Sequence, residues 1–247
     1  MISGYVGLMR QGKTMLAVQE ARHLALKRRA ILASNIVVVP PPGVEFVRLS
    51  VGDDGLEGVP ELIARAYAEQ RPIVILVDEM GIVLPSRFWE QGMSIDLMWA
   101  LSQSGKMGGD LIFTAQSIAQ VDVFLRRLTD HVWRVRAWPP PTIDRFMAGK
   151  RPWFFVARKT LPQDADSIAQ DPEKTIGRSL IRYRRSWEGD YNTLELVRPP
   201  SHLRGGRRRS RRAVPEPAGE GSPEGQPGGS GASSQAPHAP PALAPGA

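Results

Sequence analysis

The run Gly7-Leu8-Met9-Arg10-Gln11-Gly12-Lys13-Thr14 fits the phosphate-loop pattern G-x-x-x-x-G-K-[ST] at every fixed position. No other stretch restricts the fold as far, because the pattern works only where a strand enters the loop and a helix leaves it. Such a loop points several backbone N–H groups into one concavity at a helix N-terminus, and so binds polyphosphate anions. Gly7 and Gly12 allow the tight path, Lys13 reaches the outer phosphates, and the Thr14 hydroxyl suits Mg2+. Both flanks comply. Residues 1–6 suit a short strand, and Met15, Leu16, Val18, Ala21, Leu24 and Ala25 recur at helical spacing between Lys13 and Arg29. The loop, with Met15 just inside the helix, is expected to bind a nucleoside triphosphate as ATP with Mg2+.

A second element completes such a site. Ile75-Leu76-Val77-Asp78-Glu79 is an apolar strand ending in two carboxylates, the form of a Walker B element. Asp78 at the strand's carboxyl end is expected beside the phosphate loop, where it shares Mg2+ with Thr14. Glu79 then suits the base that polarises the water attacking the γ-phosphate, which favours hydrolysis over nucleotide binding alone. A third apolar run, Leu111-Ile112-Phe113-Thr114, ends in Ala115-Gln116. Gln116 fits a sensor that touches both the attacking water and the γ-phosphate, and Thr114 is a weaker candidate. Arg126 and Arg127 lie on the next helix, where one can act as an arginine finger toward a neighbouring subunit's nucleotide.

The wider pattern is α/β. Strands are expected at residues 30–39, 44–49, 72–77, 111–114, 132–138, 153–158 and 180–187, with helices at 60–70, 94–102 and 122–130. Fully apolar strands alternating with helices indicate a mainly parallel sheet covered by helices on both faces.

Composition limits the rest. Between residues 214 and 247 there are eight prolines, seven glycines and one leucine, too little apolar surface to offset ordering. The expected division is therefore an ATPase domain over residues 1–200 and a disordered tail over 201–247, rich first in Arg and then in Pro, Gly, Ser and Ala. Six arginines between 204 and 212 contribute to a net charge of +7 and suit nucleic-acid phosphates or anionic lipid. With no cysteine there is no disulfide frame or Cys-based zinc site. No apolar run is long enough to span a membrane, and a strand and phosphate loop stand where a signal peptide would lie. A cytoplasmic protein is expected, or one peripheral on the inner face of the host membrane.

Together the phosphate loop, Ser34-Asn35-Ile36, Val77-Asp78-Glu79, Asp110 through Gln116 and Val121-Asp122…Leu125-Arg126…Leu128-Thr129-Asp130 resemble the zonular occludens toxin (Zot) N-terminal domain family. That family includes filamentous-phage assembly ATPases, within the FtsK–HerA group of DNA-pumping P-loop ATPases. The resemblance covers residues 1–190. It implies a RecA-like (ASCE) P-loop NTPase core and a homo-oligomeric ring, hexamer favoured. It further implies ATP-driven movement of DNA in virion assembly, export or packaging, with virion or membrane assembly proteins as further partners. On the same ground Gln116 becomes the sensor, Arg126 the finger, and Asn35 a residue near the nucleotide or coupling it to movement. Two departures stand out: Gly105-Lys106 replaces an expected Arg-Lys or Arg-His pair, and no transmembrane helix follows the ATPase domain. A soluble or membrane-docked motor fits better than a membrane-embedded one. The competing readings are a nucleoside kinase of thymidine-kinase type, against which the missing cysteines count, and a nucleotide-binding assembly scaffold without turnover.

Overall fold

Eight strands assemble side by side into one sheet, four of them buried along their whole length. The computed structural model describes residues 1–52, 55–84, 102–103, 108–165 and 174–191. In chain order its strands are β1 (Ile2–Val6), β2 (Ile31–Ser34), β3 (Phe46–Arg48), β4 (Ser50–Gly52), β5 (Gly55–Glu57), β6 (Ile73–Val77), β7 (Gly109–Ala115), β8 (His131–Trp138), β9 (Phe154–Thr160) and β10 (Gly177–Arg182). The helices are α1 (Lys13–Arg28), α2 (Val59–Ala68), α3 (Met80–Val83), α4 (Val123–Leu128) and α5 (Ile143–Met147). Every residue of β1, β2, β6 and β7 is buried, as strands covered on both faces must be.

The large sheet has the order β10-β9-β8-β1-β7-β6-β2-β3. Pairing is parallel from β8 through β3, while β8-β9 and β9-β10 are antiparallel. The expected mainly parallel α/β sheet is thus present. β7 lies between β1, which feeds the phosphate loop, and β6, which ends at Asp78. This is the arrangement of the RecA-like P-loop NTPases.

Helices cover the parallel sheet on both faces. On one side Leu62 and Ile63 of α2, Met80 and Val83 of α3 and Leu125 of α4 pack over Ile31, Ile75, Leu111 and Phe113. On the other, α1 lays Leu16, Ala17, Val18, Ala21 and Ala25 over Leu32, Val74, Leu76 and Ile112, with Phe155 and Ala157 of β9 in the same cluster. Three alanines on that stripe let the helix lie close to the strands. α1 closes at Arg29, whose left-handed backbone (φ 53°) lets its N–H reach Ala25 O and Leu26 O.

Several boundaries differ from the sequence expectation. β2 stops at Ser34 instead of running to residue 39, because the Asn35 side chain takes over the pairing and Val38 bridges to Tyr191. Before α2 stands a small antiparallel pair, β4-β5, which the pattern did not reveal. β10 spans 177–182 instead of 180–187, since Trp187 falls in a 3-10 turn at Arg185–Gly189. Most of the expected helix at 94–102, Gly105-Lys106, the arginine cluster and the tail lie outside the described residues.

One packing detail is testable. Gly4 of β1 faces Phe113 of β7, and a Cβ there would lie 2.6 Å from the buried ring. Gly4→Ala should therefore overpack the sheet and cost about 1–3 kcal/mol. A lowered urea midpoint at unchanged slope would show it.

Candidate nucleotide site

The phosphate loop is shaped by strand packing as much as by its own glycines. Gly7 has φ 149°, and a Cβ there would stand 2.7 Å from the Val135 carbonyl oxygen of β8. Gly12 has φ 88°, with the Phe155 ring where its Cβ would be. Only glycine meets both demands at these two positions. Gly12 is also the N-cap of α1, and no side chain caps the helix. Its first N–H groups are left to a ligand, as anion sites at helix N-termini require.

Four residues, from the start of α1, the ends of β2 and β6, and β7, converge beside that helix start. Thr14 donates its hydroxyl hydrogen bond to Asp78 Oδ1 at 2.8 Å. Thr114, fully buried on β7, donates to the same oxygen at 2.7 Å and accepts the Glu79 N–H at 2.9 Å. Asn35 brackets the Asp78 peptide: its amide nitrogen donates to Asp78 O at 3.0 Å and its oxygen accepts Asp78 N–H at 2.7 Å. The last paired residue of β2 is Ser34, opposite Leu76. Asn35 therefore imitates one more peptide of the ladder where the backbone has already left it. Asp78 is fixed at both its carboxylate and its backbone.

Lys13 is buried and lies along the loop, its ammonium donating to Leu8 O at 3.2 Å. Burial pulls its pKa below the usual lysine value, against the opposing pull of the Glu79 and Asp78 carboxylates. Burial pushes the Glu79 carboxyl up, Lys13 offsets part of this, and Asp78 adds to it. Glu79 also adopts left-handed backbone (φ 52°, ψ 53°) as N-cap of α3. A non-glycine residue in that region costs on the order of 1 kcal/mol and is characteristic of functional positions.

Lys13, Thr14, Met15, Met9, Arg10, Gly12 and Glu79 line a cavity of about 670 Å3. Its far wall comes from late in the chain: Pro141, Lys150, Arg151, Tyr183, Glu188 and Tyr191. That wall is anchored to α1, where Gln19 donates to Asp190 Oδ2 at 2.7 Å and Arg22 pairs with the same carboxylate. Burial, with a smaller contribution from the Asp78 charge, raises the Tyr191 phenol well above its ordinary value. A cleft beside an uncapped helix start, with an aromatic, partly basic wall, suits a nucleotide in size and chemistry. The Thr14 and Asp78 oxygens are hard donors fitted to Mg2+, which is ordinarily held by one or two protein ligands together with phosphate and water. Among the described residues no His, Cys, Asp and Glu cluster forms an all-protein metal cage.

The remaining expected residues are placed differently. Gln116, exposed at the end of β7, lines a neighbouring cavity of about 450 Å3 with Gly7, Leu8 and Gln11. Arg126 lines neither cavity, and its buried Nε has no hydrogen-bond partner among the described residues. Its neighbours in the resemblance are structural. Asp122 caps α4 by accepting Phe124 N–H, Thr129 donates to Leu125 O, and Asp130 accepts Ile2 N–H. Thr114 has more contacts than its sequence position suggested. The far wall carried no sequence signal, because those residues meet the loop only through the fold.

The family model for zonular occludens toxin (Zot) matches residues 1–138. The chain belongs to the Zot family. Among solved structures it is similar to the N-terminal domain of zonular occludens toxin from Neisseria meningitidis: 14% identity, 77% of this chain, 98% of that one, and a TM-score of 0.50. It is also similar to the genome packaging NTPase of Sulfolobus turreted icosahedral virus 2. The sulfate complex of that protein gives 11% identity, 74% and 96% coverage and a TM-score of 0.47. Its ATP-gammaS complex gives 10% identity, 73% and 96% coverage and 0.44. No curated protein matches the chain. The Zot match ends with β8, so Tyr183, Glu188 and Tyr191 lie beyond it. No helix among the described residues of this Zot-family chain is long and apolar enough to cross a membrane.

Two expectations follow from the geometry. Asn35→Ala would remove both of its hydrogen bonds to the Asp78 peptide, costing about 2–6 kcal/mol at 1–3 kcal/mol per group; chemical denaturation measures it. Glu79→Gln removes a carboxylate whose ionisation the fold opposes. A raised folded-state pKa means that the cost is present at pH 7.5 and vanishes below the unfolded value of about 4.3. The variant should melt above the native protein at pH 7.5, with the gap closing as calorimetry is carried toward pH 4.

Proposed function

We propose that this chain is an ATP-hydrolysing motor of phage or prophage morphogenesis that moves DNA during virion assembly, export or packaging. The observation that carries the reading is the junction of Thr14, Asp78 and Glu79 beside an uncapped helix start. A site meant only to hold a nucleotide does not need a second carboxylate kept in left-handed backbone next to the first.

In this reading ATP enters the larger cavity with its phosphates on the loop N–H groups. Lys13 leaves the Leu8 carbonyl and turns its ammonium to the β- and γ-phosphates, a rearrangement within one side chain. Thr14 and Asp78 would hold Mg2+, which would neutralise phosphate charge as it develops. Glu79 accepts a proton from water as the water oxygen forms its bond to the γ-phosphorus. The bond from that phosphorus to the β,γ-bridging oxygen breaks, and ADP leaves with the electron pair. The raised Glu79 pKa strengthens it as a base. Gln116 would sense the γ-phosphate from the end of β7, and Arg126 would act on the nucleotide of the next subunit in a ring. Membership of the Zot family supports the phage setting, and the FtsK–HerA resemblance supports DNA as cargo.

Turnover decides the matter. With single-stranded or duplex DNA present, the purified chain should release phosphate from ATP. Lys13→Ala should lose nucleotide binding, whereas Glu79→Gln should keep it and lose about 10²–10⁴-fold in rate, the usual contribution of a general base. Phosphorylated thymidine in the same assay would support the nucleoside kinase. Binding without any turnover would leave only the assembly scaffold.

A further inference from the structure

The antiparallel end of the sheet carries a charge pattern that the nucleotide site does not use. β8, β9 and β10 together contain five arginines and one lysine and not one carboxylate. Their register places side chains in three rows on one face. Arg134, Arg158 and Arg178 stand directly opposite one another across the three strands. The next row is Arg136, Val156 and Leu180, and the third is Trp138, Phe154 and Arg182. Strands lie about 4.8 Å apart, so the first row sets three guanidinium groups within about 10 Å at the backbone.

All five arginines are on this one face; the other face packs Val135, Ala137, Phe155 and Ala157 into the core under α1. The arginine face is open where it matters. Arg136, Arg178 and Arg182 are exposed, as are Trp138 at 52% and Leu180 at 70%. Arg134 is half-buried and donates to the Ala165 carbonyl at 3.0 Å. Arg136, Arg158, Arg178 and Arg182 have no ion pair among the described residues.

Like charges directly opposite on a sheet destabilise it, so Arg158 facing Arg178, neither with an ion pair among the described residues, serves no folding purpose. A polyanion supplies the missing charge. Beside the row, Trp138 and Phe154 stack on each other with centroids 6.5 Å apart and planes 21° from parallel. The exposed Trp138 ring next to the arginine row fits a strand whose bases are accessible, since a duplex hides its base faces. We propose that this face binds single-stranded DNA, with the arginine rows on phosphates and Trp138 as the base-stacking platform.

The inference rests on the DNA cargo of the preceding reading and gives that cargo a place. It also gives a route to the nucleotide. Arg134, Arg136 and Arg158 share the smaller cavity with Gly7, Leu8 and Gln116. Gln11 of the phosphate loop accepts the Ala137 N–H of β8 at 2.7 Å, one residue from Trp138. A change in the loop upon hydrolysis therefore pulls on the strand that carries the DNA-facing row.

The test uses the full chain and a fluorescent dT20 oligonucleotide, with a dT20·dA20 duplex and phosphatidylserine vesicles as competitors, over a salt series. Arg158→Gln/Arg178→Gln/Arg182→Gln should weaken dT20 binding about tenfold or more and lower the slope of log K against log salt by about 2, at roughly 0.7 per lost phosphate contact. Trp138→Ala should weaken binding on the order of tenfold with the slope unchanged. Arg178→Gln, on the exposed edge strand, repeats the charge test where the triple variant does not fold. Unchanged affinity and slope in these variants, with native dT20 binding intact, overturn this face but leave the cargo reading standing. No dT20 binding by the native chain overturns both. Preference for duplex or vesicles, or loss of self-association with unchanged dT20 affinity, likewise overturns the assignment.

Discussion

The Asp78 carboxylate is where the sheet and the nucleotide site meet. Thr14 reaches it from the start of α1, Thr114 from β7 and Asn35 from the end of β2, the last through the Asp78 backbone. Three strands and the phosphate helix are thus tied at one residue, and this is possible only because β7 lies between β1 and β6. Were β1 and β6 adjacent, the Thr114 hydroxyl could not lie between the two loops. Charge-assisted bonds of this kind are short and strong, and each removes a rotational freedom from the carboxylate.

Around this fixed point sit two groups that the fold treats less kindly. Lys13 and Glu79 are both driven toward their neutral forms by burial, and each restrains the shift of the other. A lysine and a glutamate placed for stability alone would sit in solvent, where pairing is worth little but desolvation costs nothing. Here both are withdrawn from water, and Glu79 is held in left-handed backbone as well. Under the proposed function an incoming polyphosphate would change the balance by adding negative charge beside Lys13, and the site would be complementary with its ligand, as pre-organised electrostatic sites are.

Sequence alone made the parallel core readable because its signals are local. Ile73 through Val77 and Leu111 through Phe113 are apolar without alternation, which only a strand covered on both faces can satisfy. The glycine spacing of the loop is equally local. What escaped depends on contacts across the fold. Asn35 looked like a residue near the nucleotide, yet its amide stands in for a missing peptide, and no local pattern marks that. Thr114 is an ordinary β-branched strand residue until β6 is laid beside it. In the run from Asp122 to Asp130, family resemblance pointed to Arg126, while most of its neighbours cap, pack or tie down β1. A recurring motif records structural necessity and chemistry together, and only geometry separates them. β10 shows the opposite error: Trp187 extended the apolar signal, but its ring packs on the α1 side from a 3-10 turn.

The segment after β8 turns one parallel domain into a device with two sides. From residue 139 the chain leaves the sheet, returns through β9 and β10, and then crosses to α1 and residue 38, where Tyr191 bridges Val38 and Asp190 holds Gln19 and Arg22. Its inward residues, Phe155 under Gly12 and Tyr183 and Tyr191 in the cavity wall, bear on the phosphate loop from one face of the sheet. Its outward residues form the arginine rows on the other. Alternation along a strand imposes this, since neighbouring residues must point to opposite faces. Consequently β9 cannot shift relative to β8 without moving the Phe155 ring against Gly12 and the Arg158 row against its partner at the same time. Packed interiors resist gradual deformation, so a nucleotide-driven change at the loop would reach the outer face as a displacement of whole strands.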